Sequence, residues 1–238
     1  MLSGGSYLES YDMIDLHTHQ SWPGYSGMIR IRSFQFSEIA ELKTFTLPFS
    51  VGIHPWEAGD GGLDLALLER WIQQPNCLAV GESGLDKLRG PVLEVQIRWL
   101  MAQAQLAMSH SKPMIIHCVR YWNELITIRR KFPEVPAWII HGFRGKAELA
   151  AQLVRHGFYL AFGTALMEES AALAEVFAQV PVTRLFLETD EGDATIEEVY
   201  TIAASIRQIT PEQLQTAIIN NFNTVFGNDV LPRLASTH

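Results

Sequence analysis

A chain of 238 residues, 47% of them hydrophobic, can bury one large core and is of normal length for a single α/β barrel. Eighteen Lys and Arg against twenty-six Asp and Glu give a net charge of −8. That argues against gripping nucleic acid through a broad basic face, but leaves room for an enzyme that meets phosphates through bound metal ions. No apolar run reaches membrane-spanning length, and Cys77 and Cys118 fall inside strand-like runs. The expectation is a cytoplasmic protein with reduced cysteines, no membrane partner and no obligate protein partner. Met1–Asp12 lacks the basic and apolar regions of a signal peptide and reads as a short extension, residues 1–12, ahead of one barrel domain over 13–238.

The elements alternate. A first strand, Met13-Ile14-Asp15-Leu16, leads to His17 and is followed by an irregular segment from Gln20 to Leu47. Within it, Ile29–Phe36 alternates apolar with polar residues and looks more extended than helical. A strand then ends in Ser50-Val51-Gly52-Ile53-His54-Pro55. Leu63–Gln74 is helical, with Leu63, Leu67, Leu68 and Trp71 on one face, and the Cys77–Gly81 run leads to Glu82. Val92–Ser111 is a long amphipathic helix. Strands before His117 and His141 follow, separated by a helix over Tyr121–Phe132; its Arg129-Arg130-Lys131 end complements the helix dipole. Helices over Gly145–His156 and Ala165–Val180 flank a sixth strand, Gly157–Phe162. Arg184–Leu187 leads through Glu188 and Thr189 to Asp190, and no clear strand comes after it. From Thr195, a better helix cap than Asp190, the chain is helical to Phe226, with Pro211 at a helix start.

Such alternation implies parallel strands, right-handed crossovers and outer helices. A closed barrel ends all its strands at one face, where catalytic groups collect; an open flavodoxin-like sheet would not gather these strand ends at one point. The expected fold is a distorted TIM-type (β/α) barrel, single-domain, of seven or eight parallel strands.

Six residues able to hold metal stand at these strand ends: His17, His19, Glu82, His117, His141 and Asp190. Imidazoles with carboxylates suit Zn, Mn, Fe, Co or Ni. His17 and His19, two apart in a strand, point to the same face, and Asp15 lies one step deeper, placed to orient a ligand histidine. An HxH pair alone is weak, and a lone core histidine usually satisfies its nitrogens with backbone groups. Six such residues at successive strand ends make coincidence a poor explanation. Asp190 suits a ligand that also takes a proton from water. Trp22 and Trp56 follow His19 and His54 on the same side, each a packed loop anchor or a stacking surface for a base.

The motifs Asp15-Leu16-His17-Thr18-His19, Gly52-Ile53-His54-Pro55, Gly81-Glu82-Ser83-Gly84-Leu85-Asp86, Pro113–His117, His141-Gly142-Phe143-Arg144-Gly145, Glu188-Thr189-Asp190 and Asn220–Phe226 occur in this order over nearly the whole chain. In these the chain resembles the TatD family of metal-dependent hydrolases, among the amidohydrolase-like barrels. The resemblance implies a deoxyribonuclease using two divalent ions (Zn, Mg or Mn), with DNA or another phosphodiester as substrate. It implies that His17, His19 and Asp190 hold one ion and His117 and His141 the other. Glu82 would bridge the two, and Asp190 would be the general base. His54 is implied in substrate phosphate binding or proton transfer.

The chain departs from the family pattern twice. Many members carry an arginine two residues after the His117 position; here it is Val119, leaving Arg120 to reach a phosphate by another path. Glu191-Gly192-Asp193-Ala194 replaces a longer proline-containing loop, implying a more open cleft with extra carboxylates at its edge. A small-molecule amidohydrolase or lactonase on the same site is the alternative, and a metal-binding module without activity is a third reading.

Overall fold

The computed structural model describes residues 13–21, 27–39, 42–59, 62–168 and 171–235; the expected 1–12 extension and Trp22 lie outside the described residues. Eight parallel strands form one sheet in sequence order, β1 to β8. They are β1 Met13–Thr18, β2 Met28–Gln35, β3 Phe49–Gly52, β4 Cys77–Asp86, β5 Met114–Val119, β6 Trp138–Ile140, β7 Phe158–Phe162 and β8 Leu185–Leu187. The last strand meets the first just past its end. Asp190 bridges Thr18 in parallel, donating its N–H to the His17 carbonyl (2.9 Å) and accepting from the His19 N–H (3.1 Å). The expected barrel is present, with eight strands. The extra strand is β2, the alternating Ile29 segment, so the Glu82, His117, His141 and Asp190 runs are each one place later in the barrel than a reading without it implies.

Outside the strands lie α1 Phe36–Ile39, α2 Leu65–Ile72, α3 Leu93–Ser109, α4 Trp122–Arg129, α5 Ala147–Arg155, α6 Ala171–Gln179, α7 Ile196–Arg207, α8 Pro211–Phe226 and α9 Val230–Ala235. The helix expected over Ala165–Val180 is instead a 3-10 turn, Thr164–Met167, followed by α6. The long C-terminal helix is broken where Gln208 takes left-handed φ (55°). Thr195 caps α7 and Thr210 caps α8, each in a reciprocal box with Glu198 or Gln213, and Pro211 opens α8. Ile14, Leu16, Phe49, Val80, Ile116, Ile139, Phe158 and Phe186 are among the side chains with at most 1% exposure in the core. Each such burial contributes about 1.5–3 kcal/mol. At the barrel's lower end Asn221 donates to the carbonyls of Val182 and Leu185, tying α8 to β8 (both 2.8 Å).

β4 overturns one expectation. The strand does not leave the sheet at Glu82 but runs on to Asp86, with its pairing to β5 shifting between Val80 and Ser83. Gly81 (φ 150°) and Gly84 (φ 157°) make this continuation possible, because β4 there lies against the β5 backbone. A Cβ on Gly84 would stand 1.8 Å from the His117 carbonyl oxygen, and one on Gly81 2.3 Å from that of Ile115. The same approach carries Glu82 up to His117. Gly84→Ala should therefore cost about 3 kcal/mol or more. Gly142→Ala, with left-handed φ (56°) but open space around the new methyl, should cost about 1 kcal/mol. Urea unfolding midpoints of the two variants check this; equal midpoints would mean that β4 can move away from β5 freely.

Candidate metal centre

All six sequence-derived residues meet at the mouth where the strands end. His17 lies in the last pleat of β1 and His19 just past its end, Glu82 lies within β4, His117 within β5, His141 just past β6, and Asp190 in the bridge that closes the barrel. The two-residue spacing puts His17 and His19 on one face, as a strand requires, with ring centroids 5.0 Å apart. His54, two residues past β3, joins them. It is held there by Gln103 of α3, whose side-chain amide accepts from the Ile53 N–H (2.7 Å) and donates to the Ile53 carbonyl (3.0 Å).

Glu82 is the hub. Its Oε1 faces His141 Nε2 at 2.6 Å, His117 Nδ1 at 3.0 Å and His54 Nε2 at 3.2 Å. Its Oε2 faces His17 Nε2 and His19 Nε2, both at 3.6 Å. Asp190 Oδ1 completes the second group, 3.5 Å from His17 Nε2 and 3.7 Å from His19 Nε2. Donor atoms cluster within 4.8 Å as His17–His19–Glu82, His17–His141–Asp190 and His54–Glu82–His117, so His141 lies between the two halves.

The charges follow from burial and contact. Burial alone would raise the Glu82 carboxyl, but the His141 charge and bonds from His117, His141 and His19 hold it well below the usual range. Burial likewise works against ionised Asp190, yet His17 and His141 pull it down to about 2. His141 is pushed up to about 10 because Glu82 outweighs its burial, while burial and the His141 charge bring His17 down to about 4. His17 is fully buried, and neither of its ring nitrogens has a hydrogen-bond partner among the described residues. A buried Nε2 facing two carboxylates without a hydrogen bond is costly unless a cation receives its lone pair. The donor set thus fits divalent ions.

Three neighbouring carboxylates brace the cluster. Asp86, two strand steps beyond Glu82 on the same face of β4, faces His117 Nε2 at 3.1 Å and accepts from the Trp56 indole N–H at 2.8 Å. Glu188 is wholly buried beneath His141, 3.8 Å from Nδ1, and accepts from the Gly142 N–H; burial raises it to about 8. Both stand inside quoted motifs without an assigned role, and their signal was period-two spacing from Glu82 and Asp190. Asp15 does not hold a histidine, contrary to expectation. It accepts from the Thr189 N–H (2.9 Å) and hydroxyl (2.8 Å), so it fixes the strand end that presents Asp190.

Beside the centre a cleft of about 220 Å³ is lined by His117, Val119, Phe143, Arg144, Thr164 and Asp190, among others. Its cation is Arg144, bound across the rim to Glu168 at 3.1 Å. Arg120 is not brought into this cleft: left-handed φ (65°) after β5 turns the chain there, and the residue is exposed on the rim. His54 is 3% exposed, not a rim residue; its Nδ1 accepts from the Trp56 N–H (3.2 Å), which in the neutral ring leaves an Nε2–H for Glu82.

The sequence of residues 29–227 matches a family model described as TatD related DNase. A metal-dependent hydrolase of Escherichia coli K12, YjjV, is 24% identical, the alignment covering 90% of this chain and 97% of that protein. The 3'-5' ssDNA/RNA exonuclease TatD of Pantoea ananatis is 28% identical over 70% of this chain and 68% of its own. In fold, the crystal structure of YjjV superposes with a TM-score of 0.75 at 22% identity, covering 91% of this chain and 98% of that one. A TatD-family hydrolase structure from Entamoeba histolytica gives 0.72 at 19% identity, covering 92% and 99%. The family match spans most of the barrel and includes the strand ends that carry Glu82, His117, His141 and Asp190, so this chain belongs to the TatD-related DNase family of metal-dependent hydrolases.

Proposed function

We propose that the chain hydrolyses phosphodiester bonds of nucleic acid with two divalent ions at this centre. The observation that carries the reading is the division of Glu82: one carboxylate oxygen faces His117 and His141, the other His17 and His19. A carboxylate so placed serves two cation sites at once. His17, His19 and Asp190 would hold one ion and His117 and His141 the other, with Glu82 between. Ions bound there supply Lewis acidity, bringing water ionisation toward neutral pH and neutralising charge on the phosphoryl oxygens.

The protein's own groups do the rest. Asp190, ionised and partly open to the cleft, accepts a proton from the attacking water at a carboxylate oxygen. His54 holds its Nε2 toward Glu82, outside the proposed ligand set, and would give its proton to the departing oxygen. Asp86 fixes the tilt of the His117 ring, and Glu188 places a buried carboxyl group 3.8 Å from His141 Nδ1. Free Cys77 and Cys118 accord with a cytoplasmic setting, and no helix among the described residues is long and apolar enough to cross a membrane. A nucleic-acid substrate is supported by the TatD exonuclease name of the Pantoea relative.

Asp190→Asn keeps the shape but removes the charge and the basic oxygen. We expect folding to survive and kcat on single-stranded DNA to fall by on the order of a hundredfold or more; a value within a few-fold of the parent removes Asp190 from the mechanism. Hydrolysis of a lactone or amide, with no cleavage of any phosphodiester under Mg or Mn, would move the assignment to a small-molecule hydrolase.

Metal loading has a proton signature. His141 is raised to about 10, so the metal-free chain holds a proton there at neutral pH that ligation must expel. Affinity for Zn or Mn should rise with pH through neutrality, and calorimetric heats at pH 7 should differ between buffers of different ionisation enthalpy. The His17→Ala, His19→Ala double variant should lose one ion by elemental analysis. Full metal content in that variant would remove the pair from the ligand set.

A further inference from the structure

The charge around the barrel mouth is uneven. On one arc the loop after β4 and the turn after β5 expose Lys87, Arg89 and Arg120. Among the described residues no carboxylate pairs with any of these three, whereas Arg144 on another part of the rim is held by Glu168. Away from this arc, the segments after β7 and β8 expose Glu168, Glu191 and Asp193. In a chain of net charge −8 an unpaired basic arc at the site is a local feature.

The same arc carries aromatic rings engaged by its cations. Arg89 lies over the Trp56 indole, 3.6 Å from the ring centroid, and Lys87 lies 5.8 Å from that of Tyr121. Trp56 is 39% exposed yet firmly set: its N–H is bound to Asp86, and its ring is 5.7 Å from that of His117. The Arg89 loop is also pre-formed. Asp86 Oδ1 accepts from the N–H groups of Leu88 (2.7 Å) and Arg89 (3.2 Å). Gln96 of α3 donates to the carbonyls of Arg89 (3.3 Å) and Pro91 (2.7 Å). Cations alternating with aromatic faces on a rigid rim suit a single-stranded polyanion, whose unpaired bases stack and whose phosphates meet Lys and Arg. A duplex offers the phosphates but keeps its bases stacked on one another.

We propose that Trp56, Lys87, Arg89, Arg120 and Tyr121 form a single-strand track that holds the nucleotides next to the linkage being cut. This rests on the phosphodiesterase reading above and names the path of the strand across the rim and the residues that hold it. The strand leaves the metal centre over β4 and β5 and avoids the acidic arc. Arg89 and Trp56 stack against a base, while Lys87 and Arg120 meet phosphates.

The test is anisotropy of a short labelled phosphorothioate oligo(dT), which resists cleavage, with Mg present over a range of salt. The parent should bind it at least tenfold tighter than a duplex of equal length. K87A/R89A should raise Kd at least tenfold and lower the log Kd against log salt slope by about 0.7, for the one phosphate contact that Lys87 makes. It should also lower the ratio of kcat/KM on oligo(dT) to that on bis(p-nitrophenyl) phosphate. E191Q/D193N should bind as tightly as the parent or tighter. Unchanged Kd and slope in K87A/R89A, equal binding of duplex, or weaker binding by E191Q/D193N would each overturn the track. Rim-dependent binding without hydrolysis of any phosphodiester would instead sink the function reading and leave the track standing. Hydrolysis of bis(p-nitrophenyl) phosphate without rim-dependent binding would sink the track alone.

Discussion

A carboxylate held away from water among five imidazoles is the interaction on which this structure turns. Glu82 is 4% exposed, and an isolated charge so placed would be costly by several kcal/mol. The barrel tolerates it because β1, β3, β5 and β6 each deliver a ring nitrogen to within 3.6 Å of one of its oxygens. Removing one partner leaves the others uncompensated, which is why the cluster must be treated as a unit. The same concentration of donors around one buried charge makes the site a good host for cations.

The scaffold is organised around holding that carboxylate still. Gly81 and Gly84 let β4 lie against β5, so that Glu82 and Asp86 both reach His117. Gln103 grips both backbone groups of Ile53 and thereby sets His54. Asp15 grips Thr189 and thereby sets Asp190, which itself occupies left-handed φ (54°) at the closing bridge. Local strain at an aspartate is tolerable there because hydrogen bonds to His17 and His19 fix the backbone on both sides. Few of the atoms that position the chemistry are themselves able to do chemistry.

The strand-end residues were legible because a barrel converts sequence order into a common face: apolar runs ending in His17, Glu82, His117, His141 and Asp190 converge whatever the loops do. Helix limits set by caps were legible too, as at Thr195 and Pro211. Less visible were features that depend on register between neighbours. The alternating Ile29 segment reads as extended, but only pairing with β1 and β3 makes it a barrel strand. Glu82 looks like a strand terminus because glycine follows apolar residues, and the continuation to Asp86 depends on contact with β5. The spacing of Asp15 gives its face but not its partner, since nothing in one strand states that Thr189, just past β8, lies beside it. Arg120 is adjacent to Val119 in sequence, yet left-handed φ separates their directions, and Arg144 lines the cleft instead.

Whether one carboxylate joins two ions is the most direct question to put to this account. Electron paramagnetic resonance of the chain loaded with Mn(II) answers it, since two ions bridged by Glu82 are magnetically coupled. The account predicts two Mn per chain and a coupled spectrum, and loss of the coupling in Glu82→Ala. One Mn per chain at saturation, or two uncoupled ions in the parent, would contradict it.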